Sequence, residues 1–182
     1  YYSGGYKYNY TQIVKTLTPA SSNQSLKNAV NDLSPAGATR ADLGMELAKN
    51  IIRSNDVANN GRKKTVIMFT DGKPTSRSDF NVNVANAAIE NSKDMKTADT
   101  TVYTIGVFEG ADGTPGKDWN VTRPTTDVER TNKYMHLVSS NYKDATGMND
   151  TGEATYPADG SYFLSAGSAS ELSSIFQQIS QE

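Results

Sequence analysis

The residues of this chain best suited to chemistry are an aspartate and a threonine, each beside a predicted regular element. Asp71 ends the apolar run 65–70 and is followed at once by Gly72. If that run is a buried strand, Asp71 lies where the strand leaves the sheet, and open α/β sheets bind ligands at that edge. Thr39, in the segment 37–44 that opens a predicted helix, could bring a second oxygen to Asp71. A hydroxyl plus a carboxylate suits Mg²⁺.

Each of these residues also has an ordinary structural interpretation. Thr39, followed three residues later by Asp42, fits a helix-capping pattern, and Asp-Gly is a common turn dipeptide. Taken singly, each residue fits the structural interpretation better. Together, in this order and beside a strand and a helix, they favour a pair of metal ligands. Asp42 and Asp79 are interpreted as a capping acid and a helix-start acid.

The composition limits the possible metal sites and partners. The 182 residues include no cysteine, so disulfides and thiolate sites are excluded and any metal must be bound by oxygen. The single histidine, His136, falls in a predicted helix and is interpreted as a partly buried packing residue. The net charge of −2, with both signs interspersed, predicts no nucleic-acid surface. No apolar run approaches the roughly 20 residues of a membrane span, and the N-terminal residues are not a signal peptide.

Apolar runs of strand length alternate with segments of helical periodicity. Strands are predicted at a weak run over Tyr8 to Leu17 and at 66–70, 101–108 and 162–165. Helices are predicted at about 23–33, around 43–52, at about 79–96 and 127–139, and around 172–179. This alternation predicts an α/β fold, a doubly wound, mostly parallel sheet with helices on both faces. The segments 109–126 and 146–160 are predicted to be surface loops within a single domain.

Four segments in this order resemble a von Willebrand factor type A domain: GATRADLGMELA at 37–48, VIMFTDGKPT at 66–75, VYTIGV at 102–107 and YFLSAGSASELSSIF at 162–176. The resemblance extends over essentially the whole chain, so 1–182 is expected to be one such domain. In that family a metal-ion-dependent adhesion site is built from an Asp-x-Ser-x-Ser loop, a threonine and an aspartate. The resemblance makes Thr39 the threonine and Asp71 the aspartate.

The Asp-x-Ser-x-Ser loop of that family follows a strand in the middle of the sheet, upstream of the Tyr8 region. Neither precedes Tyr1 in this sequence. The domain is therefore expected to be truncated at its N-terminus and to lack its first, central strand. Three explanations are open: the chain is a fragment, which is favoured, or another chain supplies the strand, or the fold has rearranged. Mg²⁺, or Ca²⁺ or Mn²⁺, is expected in the intact protein, with weak or absent binding in this piece.

The resemblance implies binding rather than catalysis, so the chain is not expected to be an enzyme. Its abundant tyrosine, asparagine and threonine resemble surface or pilus tip adhesins of Gram-positive bacteria. We therefore expect an extracellular adhesion module of a cell-wall-anchored protein, which binds a protein or glycan ligand through the metal. The alternative is an intracellular assembly partner of an AAA-type ATPase. Trp119 is a weak candidate for ligand contact, and a loop anchor is the favoured interpretation of it.

Overall fold

A computed structural model of the chain describes residues 2–3, 6–7, 11–34, 37–54, 57, 60–115, 124–150, 152–158 and 160–181. The main sheet contains three parallel strands in the order β3 (Lys64–Thr70), β4 (Thr100–Gly106) and β5 (Phe163–Ser165). Two short strands, β1 (Tyr2–Ser3) and β2 (Tyr6–Lys7), pair antiparallel in a separate sheet.

The helices lie between and after these strands, as the periodicity predicts. They are α1 (Asn23–Asn31), α2 (Ala41–Arg53), α3 (Val82–Thr97), α4 (Asp127–Val138) and α5 (Ala169–Gln181), and a 3₁₀ turn at Ala20–Ser22 precedes α1. Among the described residues, none of these helices has both the length and the apolar character needed to cross a membrane. The predicted α/β fold, with a parallel sheet and helices around it, is confirmed.

Helices cover both faces of the central strand β4, whose side chains alternate between the two faces. Val102 and Thr104 lie on the side of α3 and α4, where the Thr104 hydroxyl donates a hydrogen bond to the Met135 carbonyl oxygen at 3.0 Å. Ile105 lies on the other face and packs with Ile175 of α5 in a second apolar cluster. Removing these side chains from water on both sides stabilises the parallel sheet.

The weak strand predicted over Tyr8 to Leu17 is wrong for residues 11–17, which form no strand, while residues 8–10 lie outside the described ranges. Ile13, Val14 and Leu17 are exposed. An extended segment is stable only where a neighbouring strand and an apolar layer receive it. No described strand pairs with this segment and residues 12–17 are exposed, so its apolar residues do not make it a strand.

The helix predicted from Asp79 begins later, at Val82. Asn81 caps it, since its side-chain oxygen accepts the Val84 N–H at 3.1 Å. The Asn81 N–H also donates to the Pro74 carbonyl oxygen at 2.9 Å, which holds the preceding segment outside the helix. The interpretation of Asp79 as a helix-start acid is therefore wrong, because the asparagine two residues later provides the cap.

The two margins of the main sheet differ. Beyond β5, Gly113 lies so close to the Phe163 carbonyl oxygen that a side chain at this position would collide with the backbone. Beyond β3, no described strand pairs with the outer edge. Ile67 and Phe69 of β3 are 37% and 51% exposed, respectively. A groove of about 410 Å³ runs along this edge between β3 and α2. The β3 margin is thus the open side of the sheet.

Lys96 is a buried amine that joins α3 to the end of α4. Its Nζ donates to the carbonyl oxygens of Leu137, Val138, Ser139 and Tyr142 at 3.0, 3.3, 3.1 and 2.7 Å. Burial lowers the pKa of Lys96 to about 7. The carbonyl oxygens replace the water that the amine loses, and Lys96 in turn satisfies the orphan acceptors at the helix end.

His136 is fully buried, at 0% exposure. Its Nδ1 lies 3.0 Å from the Asn141 side-chain nitrogen, and its Nε2 lies 3.2 Å from the Asp112 carbonyl oxygen. A neutral ring that carries its hydrogen on Nε2 satisfies both contacts. The interpretation as a packing residue is confirmed, and the burial is complete rather than partial.

Replacing Lys96 by methionine should lower the free energy of unfolding by about 2–4 kcal/mol, because the buried carbonyl oxygens lose their donor. Urea unfolding followed by circular dichroism would measure the change. Lys49→Met is the control, since Lys49 makes a part-exposed contact with Asp94 at 3.4 Å and should cost less than about 1 kcal/mol. Equal losses of unfolding free energy in the two variants would contradict the stabilising role of the Lys96 hydrogen bonds.

Candidate metal centre

Asp71 lies at the carboxyl edge of the sheet, directly after β3. The neighbouring strand β4 ends at the same edge, and the Val107 N–H donates to the Thr70 carbonyl oxygen at 3.0 Å. The two strand exits are thereby held side by side. Asp71 itself is exposed at this edge, which is where parallel sheets present their ligand sites.

The turn after β3 is shaped by the Thr70 hydroxyl. It accepts the Gly72 N–H at 3.2 Å and donates to the Gly72 carbonyl oxygen at 3.0 Å. A threonine hydroxyl that bonds the backbone two residues on is a recurrent turn device. The Asp-Gly pair therefore does form a turn, and this turn leaves the Asp71 carboxylate exposed.

The capping interpretation of Thr39 is wrong. The residue that caps α2 is Arg40, and no side chain makes the cap hydrogen bond. The backbone of Thr39 is bound instead to Thr75: the Thr75 N–H donates to the Thr39 carbonyl oxygen at 3.0 Å, and the Thr39 N–H donates to the Thr75 hydroxyl at 3.0 Å. Thr39 and Thr70 also line the same groove. Thr39 is thus fastened to the segment that begins with Asp71.

The oxygens of the predicted pair are uncommitted. Within the described ranges, neither the Thr39 hydroxyl nor the Asp71 carboxylate makes a hydrogen bond or an ion pair. Acceptors on one edge that lack internal donors suit a hard cation, which binds hydroxyl and carboxylate oxygen. No group of three or more histidine, cysteine, aspartate or glutamate side chains that could hold a metal occurs in the described residues. Further donors are therefore needed for firm retention.

Basic residues flank the two oxygens, but each has a carboxylate partner. Arg40 forms a bidentate pair with Asp42, at 2.8 Å from Nε and 2.6 Å from Nη2. Asp42 is therefore an ion-pair partner within the first turn of α2. Lys73 pairs with Asp127 at the start of α4, and this hydrogen bond lowers the pKa of the Asp127 carboxyl. These internal pairs leave the Asp71 charge available to a cation.

The sequence predicts Thr39 and Asp71 as ligands, which stays a prediction, and it gives no role to Thr75 and Lys73, which connect their loops to the rest of the fold. The only available signal was a hydroxyl and an ammonium within four residues of Asp71. Trp119, the weak ligand-contact candidate, lies outside the described residues. Its role stays a prediction.

The comparisons with known proteins identify one family. The protein-family model described as the von Willebrand factor type A domain matches residues 2–121. The match includes α2, β3, β4 and both predicted ligand residues. No curated protein and no solved structure matches the chain. Although β5 follows the matched range, it pairs with β4 in the same sheet.

In the full-length protein, which supplies the further donors, replacing Asp71 by asparagine should strongly weaken Mg²⁺ binding, because the only carboxylate of the predicted pair is lost while the side-chain size is kept. Thr39→Val should weaken binding less, since it removes a neutral donor. Isothermal titration with MgCl₂ would measure both. Asp79→Asn, a change at a nearby exposed acid, should bind as the unmodified protein does. Unchanged binding in Asp71→Asn would exclude this centre.

Proposed function

Because the chain belongs to the von Willebrand factor type A domain family, a family of protein-interaction modules, we propose that it is an extracellular adhesion module. It binds an acidic group of a protein or glycan ligand through a divalent cation at Thr39 and Asp71. The binding is reversible and involves no chemical turnover.

The observation that carries this proposal is the uncommitted pair of oxygens at the carboxyl edge of the sheet. Thr39 comes from the loop before α2 and Asp71 from the loop after β3, and the hydrogen bonds at Thr75 join these loops. Asp71 is exposed and Thr39 partly exposed, so a cation can replace the water that solvates their oxygens. Two ordered loops that present free oxygen ligands at one edge support a cation-binding role.

Mg²⁺ is the proposed cation, with Ca²⁺ or Mn²⁺ as alternatives of similar ligand preference. Mg²⁺ requires octahedral oxygen coordination and usually keeps several waters when protein carboxylates are few. When bound, it would supply open positions for a carboxylate of the ligand. Thr39 and Asp71 would hold it on this side, and the remaining protein donors would come from a further segment.

The open margin of β3 offers a place for the further segment that would supply the remaining donors. Its groove is lined on the α2 side by Gly44, Met45 and Ala48, and on the sheet side by residues 66–70. An extended segment added there would pair with β3 and cover its exposed apolar side chains. We propose that a preceding segment of the parent protein, or another chain, occupies this margin and completes the cation site.

An extracellular location, on a Gram-positive cell surface or pilus, is part of this proposal. Its support is the polar composition, rich in tyrosine, asparagine, serine and threonine and without cysteine. The intracellular alternative, a partner of an AAA-type ATPase, would use the same edge of the sheet. Binding to an extracellular ligand would therefore favour the adhesion module over the ATPase partner.

The full-length protein should bind at least one member of an array of extracellular matrix proteins and glycans in MgCl₂, and EDTA should release it. Asp71→Ala should abolish this binding, because the cation no longer bridges to the ligand, while Asp79→Ala should retain it. Surface plasmon resonance would measure both changes. Ligand retention that is unaffected by EDTA would overturn the metal-linked mechanism.

A charge at the open margin should reduce self-association of the isolated chain. We expect the unmodified chain to associate as its concentration rises, because β3 exposes unpaired backbone groups together with Phe69. Phe69→Lys should shift it toward the monomer in sedimentation velocity. Leu17→Lys, at a side chain that is 71% exposed and belongs to no strand, is the control. Equal effects of the two changes would indicate general hydrophobic association.

A further inference from the structure

We propose that Thr75 is a positioning residue that sets where the Thr39 oxygen stands relative to Asp71. The proposal rests on the proposed function of the Thr39 and Asp71 edge, and it adds a residue that does not itself touch the cation. Thr75 contacts Thr39 through both its backbone and its side chain, each at 3.0 Å. This reciprocal pair fixes both polar backbone groups of Thr39 to one residue.

The restraints on Thr39 from its own side of the chain come from α2. The helix lacks a side-chain cap, so the Thr39 hydroxyl is not fixed by capping geometry. The next residue, Arg40, is held at the helix start, where its carbonyl oxygen accepts the Leu43 and Gly44 N–H groups at 3.2 and 3.4 Å. The hydrogen bonds with Thr75 are therefore the ones that join the Thr39 backbone to the segment after Asp71.

Thr75 can serve as an anchor because it is itself fixed. It is 7% exposed, and it forms an antiparallel bridge with Phe80. The flanking Pro74 carbonyl oxygen accepts the Asn81 N–H at the start of α3. Hydrogen bonds within the segment between Asp71 and α3 therefore hold Thr75 in place. The Thr75 hydroxyl accepts the Thr39 N–H from this fixed position.

A cation site whose ligands come from two loops depends on contacts that hold the loops together, such as the Thr39–Thr75 hydrogen bonds. Oxygen ligands of Mg²⁺ must lie close to octahedral positions at about 2.0–2.1 Å from the ion. The loss of residues that orient metal ligands typically lowers metal affinity by about 10–100-fold. Removing the Thr75 acceptor frees the Thr39 N–H and loosens the loop that carries the ligand oxygen, while both ligand side chains remain.

The test compares Thr75→Val, Thr75→Ser and Thr104→Val with the unmodified protein, all as the full-length protein that supplies the further metal donors. Valine keeps the shape of threonine and removes the acceptor, whereas serine keeps the hydroxyl. Thr104→Val removes an equally buried hydroxyl on β4 that bonds the Met135 carbonyl oxygen, so it matches the loss of stability away from the site. Mg²⁺ affinity is measured by isothermal titration, and amide hydrogen exchange at Thr39 reports the joint directly.

We expect Thr75→Val to weaken Mg²⁺ binding by about tenfold or more and to accelerate exchange of the Thr39 amide. Thr75→Ser and Thr104→Val should bind Mg²⁺ nearly as the unmodified protein does. The positioning role is overturned if Thr75→Val keeps full affinity, or if Thr104→Val loses as much.

The proposed function fails by a different result. If the unmodified full-length protein binds no Mg²⁺, or if Asp71→Asn does not change the binding, the cation site itself is absent and the role of Thr75 falls with it. Binding that depends on Asp71 and not on Thr75 refutes the positioning role alone.

Discussion

The parallel pairing of β3 with β4 is the constraint on which the rest of the structure depends. The two strands run in register from Lys64 opposite Thr100 to Thr70 opposite Gly106, so both end at the same edge. One further hydrogen bond, from Val107 to Thr70, continues the pairing beyond the last register pair. The loop that carries Asp71 is placed by this common ending, and the loop that carries Thr39 is joined to it through Thr75. A slip of one residue would turn the buried side chains of β3 to the opposite face.

The elements that the sequence predicts well are those whose signals are local. The stripe that includes Leu43, Leu47 and Ile51 recurs at helical spacing, and α2 contains all three residues. The apolar run before Asp71 is similarly explicit, and it is β3. These patterns predict the type of element without knowledge of distant residues, but they do not settle the buried face: α2 places Met45 and Ile52 in the core, and the stripe itself is only partly buried.

The errors occur where distant residues compete for the same hydrogen-bonding groups. Thr39 has the sequence context of a helix cap, but Thr75, 36 residues later, takes both of its backbone groups. Asp79 could have started α3, but Asn81 caps the helix and is also tied back to Pro74. For the candidate site the sequence therefore predicts the two oxygens. The hydrogen bonds between Thr39 and Thr75, which join the two loops, appear only in the fold. The ion pair of Lys73 with Asp127 also depends on the fold, since it spans two elements that are distant in sequence.

The unequal margins of the main sheet limit how copies of this chain could join through their strands. Gly113 lies against the backbone of β5, whereas no segment of the described residues pairs with the outer edge of β3. Two copies that met edge to edge would each use their single open margin, and the pair would then have no free margin in its merged sheet. Growth by this route ends at a dimer with twofold symmetry, whereas a chain with two open margins could continue into a filament.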